Sequence, residues 1–330
     1  MKTEQKIEDI RFNSSLAPYM TQLLAEKTAL GYSYVGQAFL LRQLDQFIVE
    51  TGDGETTLTK EVVNRWIAIR PHESAGTQWS RVHIIRQLGL LMLREGIPAY
   101  LPDRRLVHPE SEDYFIPYIF SHEELRRFFH SADSLQLLPH SISRQRHLMM
   151  PMLFRLFYGC GLRMNEALNL RRRDVDIENG ALCIRQAKFR KDRLVPMADG
   201  LTERMNYYLN ETVPNLSADD YIFPSPIGGP YSNGAIYHIY RDLLRHSGIS
   251  HGGRGVGPRL HDLRHTFAVH CLQRWVRSGV DLTAALPLLA TYLGHTKLTG
   301  TQQYLRLTAE LYPDIVSAVE AQCGQVIPEL

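Results

Sequence analysis

Pro98, Pro102, Pro109 and Pro117 fall within about twenty residues, in a stretch that also carries the charged run "DRRLVHPESED". Each proline fixes φ and removes a backbone donor, so neither a helix nor a central strand is expected to run through this density of them. The chain is therefore expected to divide there. Residues 1–96 form one domain, 97–118 an extended linker and 119–330 a second domain. A length of 330 residues is enough for two cores.

The segments on either side have different periods. Before the prolines, "LAPYMTQLLAEKTAL", "YVGQAFLLRQLDQFIVE", "TKEVVNRWIAIR" and "GTQWSRVHIIRQLGLLMLREG" carry apolar residues at helical spacing and stop at Gly31, Gly52, Pro71 and Gly96. A bundle of about four helices is expected. After them, Ser121 and Glu124 form a capping box at the head of "SHEELRRFFHSA". "HLMMPMLFRLFYGCG" is an apolar helix that Pro151 is expected to kink or restart. "VDI", "ALCIRQ" and "RLVPM" are short β-type runs separated by turn residues, which suggests a small antiparallel meander. Helices then continue to about residue 323, interrupted by "SHGGRGVGP". The fold class is mainly α with a small antiparallel β-sheet: an all-α N-terminal domain followed by an α+β domain with a helical tail.

Composition restricts partners without naming one. The 37 basic and 35 acidic side chains nearly cancel, and the two halves are each close to balanced, so a polyanion would have to be held by local clusters. Cys160, Cys183, Cys271 and Cys323 form no CxxC pair, which disfavours a disulfide framework or zinc ribbon. The first residues, "MKTEQKIEDIRFNSS", contain no apolar leader, and no run approaches 18 apolar residues. A cytoplasmic protein with no membrane partner is expected.

The chemistry-bearing residues occur in a fixed order. Arg163 follows a Gly turn, with Glu166 three residues later. Lys188 lies between two strands. His261 and Arg264 share a helical face in "LHDLRHTFAVH", His295 follows a Gly turn in "YLGHTK", and Tyr304 comes nine residues after it. Taken singly, each has a bland explanation: an i,i+3 ion pair, a solvated hairpin lysine, a core tyrosine. A zinc site from His261 and His265 would have i,i+4 spacing, but it lacks the Glu of HExxH and sits beside the cationic Arg264, so no metal is expected.

The ordered set R-x-x-E, hairpin Lys, H-x-x-R, L-G-H, Tyr resembles the catalytic signature of the tyrosine recombinase (phage integrase) family, over about Ser121 to Tyr312. The resemblance implies a metal-independent enzyme that needs no cofactor. Such an enzyme cleaves and rejoins DNA at a specific recombination site through a covalent 3′-phosphotyrosine. Arg163, Lys188, His261, Arg264 and His295 would be the activating residues, Tyr304 the nucleophile and Glu166 a support for Arg163. It further implies double-stranded DNA as partner, a homotetramer on paired sites, room for accessory proteins and a bacterial, DNA-associated setting. The first domain would be a core-binding domain. A type IB topoisomerase-like nicking-closing enzyme and a DNA-binding protein with a vestigial site are the alternatives. Two details depart from the family pattern: Phe189 follows Lys188 where Gly is common, and thirty residues separate Arg264 from His295.

These residue types suit that reaction on physical grounds. A phenol can hold a phosphoryl group covalently, but with a free pKa near 10 it needs a proton acceptor or a strongly positive setting. Two guanidiniums match the non-bridging oxygens and remain charged. Lys188 could protonate the leaving 5′ oxygen, and His261 or His295 could take the phenolic proton. His265 and His270 are expected to be structural. DNA contacts are expected from Arg42, Arg81 and Arg86 in the first domain. In the second they are expected from Arg172 in "RRR", Lys191 in "KFRKDR", and Arg259.

Overall fold

In the computed structural model, residues 10–51, 56–103, 116–136, 145–185, 192–253, 257–295, 300–301, 303–305 and 307 are described. The chain divides into two compact units, residues 1–114 and 115–330, each with its own core. Among the described residues, no helix is long and apolar enough to cross a membrane.

Among the described residues, four helices make the first unit: α1 (Ala17–Ala29), α2 (Val35–Thr51), α3 (Lys60–Ile67) and α4 (Ala75–Arg94). Thr59 and Ser74 cap α3 and α4 by accepting the N–H groups of Val62 and Thr77. Met20, Leu41, Val63, Trp66, Ile85 and Leu88 are among the fully buried side chains between them. Asp45 is buried on α2 because it accepts the backbone N–H groups of Asn13 and Ser14, at 2.8–3.1 Å, and so ties the entering chain down.

Two expectations are corrected here. Residues 97–103, read as the start of an extended linker, pack back on this unit. The Tyr100 N–H donates to Leu58 O at 2.7 Å, and Ile97, Ala99 and Tyr100 lie against the core. Helix α4 ends before left-handed Gly96, and the prolines that follow do not free the chain; residues 104–115 lie outside the described set. Arg81, expected to contact DNA, is only 1% exposed. Its guanidinium pairs with Glu73, donates to Trp66 O and Ala68 O, and lies over the Trp66 ring. It closes the α3–α4 corner from inside. Arg42 is exposed on α2, and half-buried Arg86 donates to Pro102 O.

The second unit begins with α5 (His122–Asp133), whose Ser121–Glu124 capping box is present in both halves. Helix α6 (Arg146–Gly159) passes continuously through Pro151, so no restart occurs there. A short α7 (Met164–Leu168) leads to the sheet β1 (Val175–Asp176), β2 (Ala181–Ile184) and β3 (Arg193–Pro196), paired antiparallel in that order. Val175 faces Leu182 and Leu182 faces Val195, which puts one apolar face inward. Then come α8 (Asp199–Tyr207), α9 (Asn233–His246), α10 (Asp262–Arg277) and α11 (Leu282–Leu293). The architecture is mainly helical with one small antiparallel sheet.

Helix α10 is the element around which the site is built. Phe120 donates its N–H to Thr266 Oγ1 at 3.1 Å, which itself donates to Asp262 O, and His270 bonds the Tyr158 hydroxyl at 3.0 Å. In the first unit, Arg81→Ala is expected to remove roughly 3–5 kcal/mol of stability, because it strands the buried Glu73 carboxylate. Urea unfolding of the two proteins would measure this directly.

Candidate active site

Two glycine turns set the geometry. Between α6 and α7, Gly161 has φ +57°, and a β-carbon there would stand 2.7 Å from Phe267 Cδ1 and 2.9 Å from Leu293 Cδ2. After α11, Gly294 has φ +67°, and a β-carbon would press on the Arg193 guanidinium at 3.0 Å. Only glycine satisfies both the left-handed backbone and the close approach. Each turn aims a carbonyl at an arginine: Gly161 O accepts from Arg264 Nη1 at 2.5 Å, and Gly294 O accepts from Arg163 Nη2 at 3.1 Å.

Arg264 is 1% exposed. Besides Gly161 O, its Nη2 donates to Leu293 O at 2.5 Å and to His295 Nε2 at 3.1 Å. Among the described residues, its charge is thus met by carbonyls and an imidazole rather than by a carboxylate. Burial, then repulsion from Arg163, lowers its pKa to about 10, which leaves it charged at neutral pH. An arginine can only donate, so His295 Nε2 must be an acceptor, and its Nδ1–H is assigned to Thr301 Oγ1 at 2.8 Å. Burial, with Arg264 and Arg163, holds the His295 pKa at about 4, in keeping with that neutral tautomer.

Glu166 is the anion of the cluster. It accepts Arg163 Nη1 at 2.8 Å, the Arg163 backbone N–H at 2.9 Å, and Arg193 through both oxygens at 3.0 and 2.8 Å. Burial would raise its pKa, but the bonds from Arg193 and Arg163 win and bring it down to about 2. Arg193 also donates from Nε to Tyr292 O at 2.9 Å and is nearly as buried as the carboxylate it holds.

His261 stands at the head of α10 and keeps solvent access. Desolvation by its neighbours, then the charges of Arg264 and Arg163, push its pKa to about 4. Its ring meets that of His265 edge-on at 4.8 Å. Tyr304 is 2% exposed, with the His295 ring stacked 6.0 Å away and His265 Nδ1 2.9 Å from its hydroxyl. Burial raises the phenol pKa above 10, against the charge and hydrogen bond of Arg264. In this state the phenol is protonated.

Arg163, Glu166, His261, Arg264, His295 and Tyr304, far apart in sequence, are therefore brought together. Lys188 and Lys191 lie outside the described residues. A cleft of about 880 Å³ opens beside Arg163, Glu166 and His261, with Arg171, Arg173 and Arg185 on its wall. Arg172, half-buried, donates to Val175 O, and exposed Arg259 precedes α10 with its N–H on Asp262 Oδ2.

Two site residues escaped the sequence reading. Arg193 was counted in a basic cluster, although it shares a strand face with buried Val195, and that alternation marks it as inward-facing. His265 was expected to be structural. Its i,i+4 relation to His261 puts both on one face of α10, and it touches the tyrosine.

Comparisons with known proteins agree with one another. The Phage integrase family matches residues 119–310. "Putative integrase/recombinase y4rB" of Sinorhizobium fredii is 30% identical over 294 residues, covering 86% of this chain and 93% of that protein. A tyrosine recombinase XerC of Staphylococcus saprophyticus is 27% identical over 210 residues, 63% of each chain. In fold, the chain is similar to XerH site-specific recombinase bound to a palindromic difH substrate in a post-cleavage complex. The TM-score is 0.62 at 19% identity, over 86% of this chain and 79% of that one.

Glu166 allows a quantitative check. Its folded pKa lies below its unfolded value, so its stabilisation is complete above about pH 4.5 and is lost as pH falls toward 2. Glu166→Gln is expected to be roughly 3 kcal/mol less stable than wild type at pH 7. The gap should close between pH 4.5 and 2, as read by denaturant unfolding at a series of pH values.

Proposed function

The chain belongs to the phage integrase family and is a tyrosine recombinase, an enzyme that breaks and rejoins DNA strands, and from that premise we propose that Tyr304 attacks the scissile phosphate to give a covalent 3′-phosphotyrosine. The observation that carries this reading is the setting of the phenol. It lies against a buried guanidinium that, among the described residues, has no carboxylate partner, in a cluster where Arg163, Arg193 and Arg264 face one described carboxylate, that of Glu166. Such a site has a standing surplus of positive charge and is completed by an anion.

The two arginines divide the work. Arg264 has five N–H groups and commits three to Gly161 O, Leu293 O and His295, with a further bond to Tyr304. At most one remains for a phosphate oxygen. Arg163 commits one to Glu166 and one to Gly294 O and borders the open cleft, so it offers the larger donor face. Arg163 therefore grips the non-bridging oxygens, while Arg264 bridges phosphate and nucleophile. Lys188 is assigned to protonating the 5′ oxygen. His261, at the cleft margin, is placed to hydrogen-bond the phosphate.

A specific recombination site in duplex DNA is the proposed substrate, supported by the difH complex of the XerH protein similar in fold. The 1–114 unit is assigned to gripping the duplex, with Arg42 and Arg86 its basic residues there. Lys191, Arg172 and Arg259 are assigned to backbone contacts from the second unit. Four copies on two sites would cut and exchange the four strands. No metal or other cofactor enters the scheme.

The test uses nicked duplexes selected from a random pool by binding to the full chain. Wild type with EDTA present is expected to form a covalent protein–DNA band on a denaturing gel. Tyr304→Phe should bind equally and lose the band by about a thousandfold or more. An undiminished band from Tyr304→Phe would reject the assignment.

A further inference from the structure

Formation of the phosphotyrosine requires somewhere for the phenolic proton to go, and the two histidines of the family-like signature do not offer it. His295 has both nitrogens engaged, Nε2 by Arg264 and Nδ1 by Thr301, and it presents its ring face to Tyr304, at an interplanar angle of 22°. His261 keeps solvent access at the head of α10, beside the cleft where the phosphate is assigned. Among the described residues, the imidazole nitrogen at hydrogen-bond distance from the hydroxyl is Nδ1 of His265, 2.9 Å away and one turn of α10 beyond His261.

Resting on the nucleophile assignment above, we propose that His265 is the proton acceptor for Tyr304, a catalytic role carried by the third histidine of the cluster. Arg264 already donates to the phenolic oxygen, which directs the phenol's own hydrogen at His265 Nδ1 and assigns the proton of that imidazole to Nε2. Half-buried His265 is in the accepting form at neutral pH. Burial, His261 and Arg264 push its pKa to about 3. The groups around it are His261 and Arg264 on its own helix, His295 after α11, and Tyr304. In the free enzyme the pair therefore stays neutral, with the proton on oxygen. A phosphate anion held by Arg163 and Arg264 offsets the positive charge that opposes protonation of His265.

The step balances. Tyr304 Oη forms the bond to phosphorus and its proton passes to His265 Nδ1. The P–O5′ bond breaks, and the 5′ oxygen takes a proton from the acid assigned to Lys188. On resealing, the 5′ hydroxyl gives its proton back to the amine assigned to Lys188 and attacks phosphorus, the P–Oη bond breaks, and the imidazolium returns its proton to the phenolate.

The experiment measures covalent adduct formation by the full chain on the nicked duplex that wild type cleaves, from pH 6.5 to 9. His265→Asn keeps a hydrogen-bond acceptor near the hydroxyl but cannot take its proton, and His265→Ala leaves room for imidazole. Both are expected to bind the duplex as wild type does and to form adduct about a hundredfold or more slowly at pH 7. Their rates should climb with pH where that of wild type is flat, and added imidazole should restore His265→Ala. A wild-type rate and profile in His265→Asn would overturn the proposal. So would a uniformly lowered, parallel profile without imidazole rescue, the mark of a packing role. An adduct that survives Tyr304→Phe would overturn the nucleophile assignment and this inference with it. An adduct lost in Tyr304→Phe but indifferent to His265 would overturn this inference alone.

Discussion

The Arg264 guanidinium organises the second unit around itself. A buried cation costs several kcal/mol unless its donors are met, and Arg264 is met by groups from three separate places: Gly161 O after α6, Leu293 O at the end of α11, and His295 beyond it. Each contact is also a constraint on backbone. Gly161 must be left-handed to turn its carbonyl inward, and α11 must end where Leu293 O is unpaired and available. Because carbonyls carry only partial charge, they hold the guanidinium in place without neutralising it. The strongest fold constraint in this unit and the electrostatic demand for an anion are thus the same interaction.

Glu166 plays the complementary part. By holding Arg163 and Arg193 at once it lets two further cations stand near Arg264 without opening the structure by repulsion. It takes only part of their charge. Among the described residues, one carboxylate among three guanidiniums keeps the cluster stable when empty and still positive when full. A second carboxylate would halve the positive surplus, and none would let desolvation and repulsion push the arginines outward. The short helix α7 exists in this geometry because Glu166 also caps it, taking the Arg163 N–H.

How much of this was legible in the sequence follows from the kind of signal each residue leaves. The capping box at Ser121–Glu124, the glycine stops and the alternating strands are local, and they fold as their local chemistry directs. The grouping of Arg163, His261, Arg264, His295 and Tyr304 was legible because their order resembles a known signature, and the structure brings them together. Arg81 and Arg193 misled because a basic side chain reads as surface unless its partner is known. Glu73 lies eight residues from Arg81 and Glu166 twenty-seven from Arg193, distances that no helical or strand period connects. Ile97–Asp103 misled for a similar reason. Prolines exclude regular structure but say nothing about whether an irregular segment packs, and Tyr100 finds its partner in Leu58, forty-two residues back.

His265 shows the same limit inside the site. Beside His261 and Arg264 in "HDLRHTF" it looked like a packing residue, since the apolar neighbours Phe267 and Val269 follow it. What gives it the proposed role is a hydroxyl thirty-nine residues away. Once Tyr304 is in place, the hydrogen bonds at its oxygen sort the three histidines by geometry rather than by type: His295 held by Arg264 and Thr301, His261 at the cleft edge, His265 on the phenol. All three are neutral, their pKa values pushed to between about 3 and 4 by burial and by the arginines they border. In this site burial outweighs the pull of the arginines, so the phenol of Tyr304 keeps its proton beside neutral imidazoles. In the proposed reaction a phosphate held by the arginines supplies the negative charge that lets His265 take the proton, which would tie activation of Tyr304 to occupancy of the cleft.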